Sequence, residues 1–171
     1  RRILLLGKSN KYDVVITEIG GTVGDIESLP YIEAARQLRY ELGLHNTAFL
    51  HLTLIPYMAA SGELKTKPTQ HSVKQLLEYG VQPDVLVLRT EQSLGNDIRK
   101  KVALFCNVDQ EAVIESIDVP TIYEVPLKMH AQRLDEVVLQ KLDLPIRESN
   151  LTDWRNFVER VKTSTKVVDI A

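Results

Sequence analysis

The chain has too little of several residue types to fit whole classes of protein. Its 171 residues include a single cysteine, Cys106, which excludes an intrachain disulfide framework and suits a reducing compartment. No apolar run reaches the roughly 18 residues that a membrane-spanning helix needs. The formal net charge is only −2, so no overall positive charge draws the chain to nucleic acid. We therefore expect a cytoplasmic protein that binds neither DNA, RNA nor membrane, and any bound anion must meet a local cluster of bases.

The remaining composition is typical of one globular domain. Hydrophobic residues make up 44% and charged residues 26%, which are ordinary values for a soluble protein. A chain of this length is long enough to bury a substantial core. It begins on Arg1 rather than on methionine, and we expect this start to be a cut within a longer sequence.

Short apolar strands alternate with amphipathic helices along the chain. The predicted strands are Val14–Thr17, Ala48–Ile55, Asp84–Leu88 and Ala112–Ile114. Helix-spaced apolar residues predict helices around residues 28–42, 73–77, 98–105, 134–142 and 154–161. This alternation predicts an α/β fold, a doubly wound and mainly parallel sheet with helices on both faces. Ligands bind such sheets at the carboxyl ends of the strands, so the loops there are the candidates for chemistry.

The first candidate loop runs from Glu18 to Ser28 and contains three glycines. A carboxylate at a strand end, such as that of Glu18, suits Mg²⁺ beside a phosphate, because hard cations prefer oxygen ligands. Glycines let backbone approach a ligand closely. The alternative interpretation is a Gly-rich turn whose acidic residues, Asp25 and Glu27, stabilise the start of the following helix.

The second candidate loop is Lys65–His71. Pro68 favours an extended Lys67, and in an extended segment Lys65 and Lys67 point the same way. Two ammonium groups and two hydroxyls near a helix start could hold a triphosphate, and Gln70 could read a base edge. The alternative is a solvated basic loop.

A third basic run and two apparent motifs carry less information. Arg99–Lys101 is a charge run of the kind usually found on a solvated helix face, although Lys101 adjoins apolar Val102. Gly7–Ser9 imitates the end of a P-loop, but that motif needs a glycine at position 2, where arginine stands. Cys106 lies between Phe105 and Asn107 without the surroundings of a nucleophile, and we predict that it is a core residue.

Together these motifs resemble the CTP synthase family over most of the chain. The stretches Glu18–Ser28 and Lys65–Ser72 are long and specific, and the runs Lys101–Val108 and Ile122–Pro126 follow in the same order as in that family. The resemblance implies a P-loop-NTPase-like fold, with the P-loop itself missing from these residues. It also implies that residues 1–163 form the C-terminal part of the ligase domain and that residues 164–171 form a linker toward a glutaminase domain.

The resemblance also assigns roles to individual residues. Glu18 matches the family's Mg²⁺-binding glutamate, and a second acidic metal ligand would precede Arg1. The segment of Ile117, Asp118 and Val119 lies where the family contacts ATP. The pyrimidine nucleotide, UTP or CTP, is assigned to Asp25, Ile26, Glu27, Lys65, Thr66, Lys67, Pro68, Thr69, Gln70 and Lys101.

The implied activity is the ATP-dependent conversion of UTP to CTP. In the family, ATP phosphorylates the 4-oxygen of UTP, and ammonia released from glutamine by the glutaminase domain then displaces phosphate. Family members are tetramers, so we expect a homo-oligomer, with UTP, CTP and ATP as ligands and Mg²⁺ as cofactor. Without the P-loop we expect these 171 residues alone to be inactive, because positioning dominates phosphoryl-transfer catalysis.

Two other classes of function stay open at this point. A nucleotide-sensing or assembly module without catalysis would keep Lys65–Gln70 and Lys101 but would never hold ATP. A relative of the amide-forming or partitioning ATPases would share a carboxylate at the strand end but would not need the lysine loop as written.

Overall fold

The computed structural model describes residues 2–9, 11–165, 167 and 169. These residues contain seven helices and five strands, joined by loops. The strands are β1 (Leu50–Leu54), β2 (Tyr57–Met58), β3 (Glu63–Leu64), β4 (Val85–Thr90) and β5 (Val113–Ile117). The helices are α1 (Arg2–Gly7), α2 (Leu29–Leu42), α3 (Lys67–Glu78), α4 (Asn96–Cys106), α5 (Val125–Ala131), α6 (Leu134–Lys141) and α7 (Thr152–Thr163). Short 3₁₀ turns cover Leu44–Asn46, Gln110–Ala112 and Ile122–Glu124.

A three-stranded parallel sheet lies at the centre of the fold, in the order β1-β4-β5. Leu50 pairs with Val85 across the first ladder, and Leu86 pairs with Val113 across the second. Strands β2 and β3 form a separate antiparallel hairpin on the connection from β1 to α3. The mainly parallel α/β architecture predicted from the sequence is therefore confirmed.

Helices cover both faces of this sheet, as a doubly wound fold requires. Side chains from α3 and α4 pack on one face of β4, where Leu86 and Leu88 are fully buried. Side chains from α5 and α6 pack on the other face, where Val85 and Val87 lie in a second apolar cluster. Because both faces of β4 are covered, its first four residues are all buried and all apolar.

Strand β1, at the edge of the sheet, differs from β4. Helix α3 covers one face of β1, and the other face of β1 is exposed. His51 bonds to Ser72 of α3 over 2.9 Å, and Thr53 bonds to Thr69 of α3 over 2.8 Å. On the opposite face, the leucines at alternate positions are 47–65% exposed. The structure therefore leaves an apolar strip along β1 within the described residues.

Two local predictions from the sequence are wrong. Residues 14–17 form no strand, and the side chain of Ile16 is 92% exposed. A β-branched run becomes a strand only when a neighbouring strand supplies its ladder, and the described residues offer none here. Lys67 is not extended either, because it is the first residue of α3. Pro68 is tolerated there, since the first helical N–H groups have no intrahelical partner.

No described residue of α1 is buried, whereas α7 buries Val158. The helix α7 ends at Thr163, just before the predicted linker 164–171, but residues 166, 168, 170 and 171 of that linker lie outside the described residues. Across the described ranges, every helix is too short or too polar to cross a bilayer.

Helix α2 is fixed to the sheet by a bidentate ion pair. The guanidinium of Arg39 donates to both carboxylate oxygens of Asp84, over 2.6 and 2.9 Å. The same carboxylate accepts the backbone N–H of Phe49 at 2.7 Å, and the Arg39 guanidinium lies 5.1 Å from the centre of the Phe49 ring. One carboxylate thus joins α2 to the starts of β1 and β4.

The Gly-rich loop before α2 packs against α3 at Gly24. The φ angle of Gly24 is +106°, a value that side-chain-bearing residues rarely adopt. A Cβ at this position would stand 2.1 Å from the side-chain nitrogen of Gln75 on α3. With Gln75 in this conformation, the loop approaches α3 closely at a position that has no room for a Cβ.

We expect Asp84→Asn to lower the unfolding free energy by about 2–4 kcal/mol, since it leaves the largely buried Arg39 charge without its partner. The side chains of Arg39 and Asp84 are only 17% and 13% exposed, so solvent screens the pair weakly. Urea unfolding followed by circular dichroism measures the change. Glu33→Gln is the control, since it breaks only an exposed ion pair with Arg36 on α2. It should leave the urea concentration at the midpoint of unfolding almost unchanged.

We expect Gly24→Ala to lower the unfolding free energy by about 1–3 kcal/mol, because alanine is strained at this φ. The flexible end of Gln75 can move aside, so adding Gln75→Ala should restore only a part of the loss. Gly20→Ala in the same loop is the control, since its Cβ would meet no atom within 4 Å. A Gly24→Ala protein as stable as the parent would contradict the strained geometry.

Candidate functional site

A pocket of about 430 Å³ opens in the Gly-rich loop, at the start of α2. The amide N–H of Thr22 donates to the Asp25 carboxylate at 2.8 Å, and the Ser28 hydroxyl donates to the Asp25 carbonyl at 2.9 Å. These bonds curl the loop so that its acidic side chains face one cavity. The residues that line it are Glu18, Ile19, Gly20, Gly21, Asp25, Glu27, Ser28 and Tyr31.

Tyr31 also lines this pocket, although the sequence motifs did not indicate it. The residue is 66% exposed, so it is open to solvent at the mouth of the pocket. It lies three residues after Ser28, one turn into the predicted helix, and so on the same side as the loop. That spacing was the signal that could have found it.

The donor set of this pocket suits a hard cation only in part. Glu18, Asp25 and Glu27 supply carboxylate oxygens, which Mg²⁺ prefers. Their spacing is too wide to enclose an ion, since no group of three His, Cys, Asp or Glu residues in the described ranges is close enough to hold one. Mg²⁺ usually keeps water and substrate phosphates beside one or two carboxylates. The carboxylates of this pocket could therefore supply only a part of a cation's ligands.

The lysine loop lies on the connection from β1 to α3, at the carboxyl end of the parallel strands. The amide N–H of Lys65 donates to the Pro56 carbonyl at 2.9 Å, which extends the β2–β3 hairpin by one residue. Lys67 and Pro68 then open α3, whose first N–H groups carry a partial positive charge. Lys67 thus stands at a helix N-terminus and Lys65 two residues before it, by a different backbone geometry from the one predicted.

Some polar side chains of this loop are buried and bond to the fold, and others are exposed to solvent. Thr69 is fully buried, and its hydroxyl bonds to the Leu54 carbonyl at 3.0 Å. Thr66 is also buried and accepts the side-chain N–H of Gln70 at 3.0 Å. The two threonine hydroxyls therefore hold the loop against β1 and α3. Lys65 and Lys67 remain the exposed groups that can meet an anion.

Glu63 is a second residue that the sequence analysis missed. Its carboxylate accepts a hydrogen bond from the Lys65 ammonium at 2.5 Å. That bond and the charge of Lys65 lower the pKa of Glu63, and the charge of Lys101 on α4 lowers it further. The positive charge of Lys101 thus acts on the same carboxylate as that of Lys65. The Glu63-x-Lys65 spacing was an available signal, because alternate residues of a strand point the same way.

The third predicted segment lies at the carboxyl end of β5. Ile117 ends the strand, the N–H of Asp118 donates to the Thr90 carbonyl at 3.1 Å, and the Asp118 carboxylate lies 3.5 Å from the Arg89 guanidinium. Both groups are well exposed. Among the described residues, no hydrogen bond or ion pair joins this segment to the acidic pocket or to the lysine loop.

A polar network behind β5 supports this segment. Arg99 of α4 donates to the Val113 carbonyl at 2.7 Å and to the side-chain oxygen of Gln132 at 2.9 Å, and it lies 3.3 Å from the Glu115 carboxylate. Gln132 in turn bonds to both backbone groups of Glu115. Arg99 is thus used by the fold, and within the run Arg99–Lys101 only the lysines remain for a ligand.

Cys106 is a core residue, as predicted. Its side chain is fully buried at the end of α4, and burial raises the pKa of its thiol to about 11. A thiol that stays protonated at neutral pH is a poor nucleophile. Cys106 is therefore not a candidate nucleophile in this fold.

Comparison with known proteins places these loops in one family. A family model described as CTP synthase N-terminus matches residues 1–144. A CTP synthase of Flavobacterium johnsoniae is 61% identical over 170 residues, which are 99% of this chain and 32% of that protein. A CTP synthase of Bacteroides thetaiotaomicron is 63% identical over 161 residues, 94% of this chain and 30% of that protein.

A third relative, a CTP synthase of Bacteroides fragilis, is 59% identical over 172 residues, 100% of this chain and 32% of its own length. The chain therefore spans about a third of the length of the curated relatives that it matches. Such identity over nearly every residue, together with the family match across both candidate loops, leaves one conclusion. This chain belongs to the CTP synthase family and corresponds to a part of its N-terminal region.

Proposed function

We propose that this chain supplies the pyrimidine-nucleotide site of a CTP synthase, an ATP-dependent ligase that aminates UTP to CTP. The observation that carries the proposal is the exposed lysine cluster at the carboxyl end of β1, where Lys65 and Lys67 meet the N-terminus of α3. Parallel sheets bind their ligands at this edge. Membership of the family supports the same assignment.

Lys65, Lys67 and Lys101 bind the triphosphate of UTP or CTP in this proposal. Each ammonium can donate charge-assisted hydrogen bonds to phosphate oxygens, and the first N–H groups of α3 add a partial positive charge. The nucleotide segment Asp25–Glu27 lies in the loop that packs against α3 through Gly24 and Gln75. Gln75 follows Lys67 by eight residues, roughly 12 Å along the helix axis. One helix thus connects the two proposed nucleotide loops.

Glu18 holds Mg²⁺ in this proposal, with nucleotide phosphates and water completing the coordination. When bound, the cation would offset the negative charge of the phosphates while the γ-phosphoryl group of ATP passes to the 4-oxygen of UTP. Asp25 and Glu27 line the same pocket and add to its negative charge, which attracts the cation. The exposed edge at Ile117–Val119 receives ATP. Ammonia from glutamine, released by a separate glutaminase domain, completes the reaction within a tetramer.

The 171 residues on their own do not carry out this reaction in our proposal. Their sequence contains no Gly-rich loop of the kind that cradles ATP phosphates, since Arg2 stands where Gly7–Ser9 would need a glycine. Without that cradle the γ-phosphoryl group is not positioned for transfer. Their contribution is to bind the pyrimidine nucleotide and, at Glu18, the cation.

Lys67→Ala in a full-length CTP synthase that contains this sequence should weaken UTP binding by about tenfold or more, the range for losing a charge-assisted hydrogen bond. Isothermal titration calorimetry with UTP and Mg²⁺ measures the affinity. Lys74→Ala is the matched control, because it removes the same exposed charge two turns further along α3. Equal UTP affinity in the parent and in Lys67→Ala would refute the assignment.

Glu18→Gln in the same full-length protein should slow the phosphorylation of UTP much more than the hydrolysis of glutamine. The amide keeps the shape of the side chain but binds Mg²⁺ poorly, and added Mg²⁺ should recover a part of the rate. Phosphate release and glutamate release, measured in parallel, separate the two steps. A proportionate loss of both would indicate a folding defect instead of a metal role.

A further inference from the structure

An acidic side chain lies within the proposed phosphate site. The carboxylate of Glu63 is bonded to the ammonium of Lys65, and the charge of Lys101 also acts on it. A phosphate-binding cluster gains from every positive charge and loses from every negative one. The cluster of Lys65, Lys67 and Lys101 therefore carries a net charge of +2 while Glu63 is ionised, three lysines less one carboxylate.

The backbone holds Glu63 in this place. Its residue pairs with Met58 across the β2–β3 hairpin, and the turn is closed by the N–H groups of Ser61 and Gly62, which donate to the Met58 carbonyl at 3.0 and 2.9 Å. Lys65 is tied to Pro56 on the same hairpin. Because the two side chains leave a strand at alternate positions, the carboxylate stays beside the ammonium.

The ion pair contributes little to the fold. The side chains of Glu63 and Lys65 are 61% and 45% exposed, and exposed pairs of this kind add little to stability. The buried threonines of the loop already fix its position on β1 and α3. Lys65 is the only hydrogen-bond partner of the Glu63 carboxylate among the described residues. The main effect of the pair is therefore to occupy the Lys65 ammonium, and its effect on the stability of the fold is small.

We propose that Glu63 competes with the nucleotide polyphosphate for Lys65, and so limits the affinity of the site and speeds release of its ligand. A phosphate that reaches Lys65 must replace the carboxylate as the partner of the ammonium, and it meets the negative charge of Glu63 as it approaches. The inference rests on the proposed triphosphate site and adds the group that opposes binding there.

The test compares Glu63→Gln with the parent in a full-length CTP synthase that contains this sequence. Glu63→Gln should bind UTP roughly two- to fivefold more tightly, the change expected from one exposed ion pair, and should release it more slowly in stopped-flow displacement. Inorganic tripolyphosphate as a second ligand should show the same gain, because the effect concerns phosphate and not the base. A merely structural role for Glu63 predicts the opposite sign, a loss of affinity.

Two further variants distinguish the ways in which the test can fail. Glu78→Gln removes the same exposed charge at the far end of α3, and a gain equal to that of Glu63→Gln would overturn the inference in favour of a general charge effect. In a Lys65→Met background the gain from Glu63→Gln should shrink, and an undiminished gain would also overturn it.

The proposed triphosphate site itself is judged by separate variants. If Lys65→Met and Lys67→Ala weaken UTP binding while Glu63→Gln leaves it unchanged or weaker, the site stands and the competition does not. If neither lysine variant changes UTP affinity, both the site and the competition fall.

Discussion

The position of the Gly-rich loop depends on the ion pair between Arg39 and Asp84. This carboxylate also binds the backbone of Phe49, so a single side chain fixes α2, β1 and β4 at the amino end of the sheet. The loop that ends in Ser28 leads directly into α2. Its acidic pocket is therefore set at one end of the helix by a contact that is made near the other. A largely buried pair has this effect because leaving either charge unpaired is costly.

The two candidate loops differ in which side chains anchor the backbone and which face solvent or a pocket. In the lysine loop, the buried hydroxyls of Thr66 and Thr69 anchor the backbone, while the long lysine side chains extend into solvent. In the Gly-rich loop, Asp25 both anchors the backbone and faces the pocket. One of its carboxylate oxygens accepts a backbone N–H, and the same side chain lines the pocket. Two uncharged hydroxyls thus fix the lysine loop, whereas in the Gly-rich loop a charged side chain takes part in the fold as well.

Much of this arrangement could be predicted from the sequence, because apolar periodicity reports burial. The run at Val85–Leu88 is buried on both faces of the sheet, and periodicity located it. Periodicity fails for Val14–Thr17, whose strand propensity finds no partner strand among the described residues. Apolar periodicity does not single out Glu63 or Tyr31, which only their spacing from Lys65 and from Ser28 could indicate. The predicted ligand contacts of Lys65–Gln70 and Glu18 stay predictions.

The burial of Cys106 has a practical consequence for the whole domain. Because it is the single cysteine of the sequence and its thiol is sealed beneath α4, a thiol reagent can react only with molecules that have transiently opened there. When reclosing is faster than labelling, the modification rate scales with the equilibrium population of that opened form. The native sequence thus carries an internal reporter of local opening, which follows the core between α4 and the sheet without any added label.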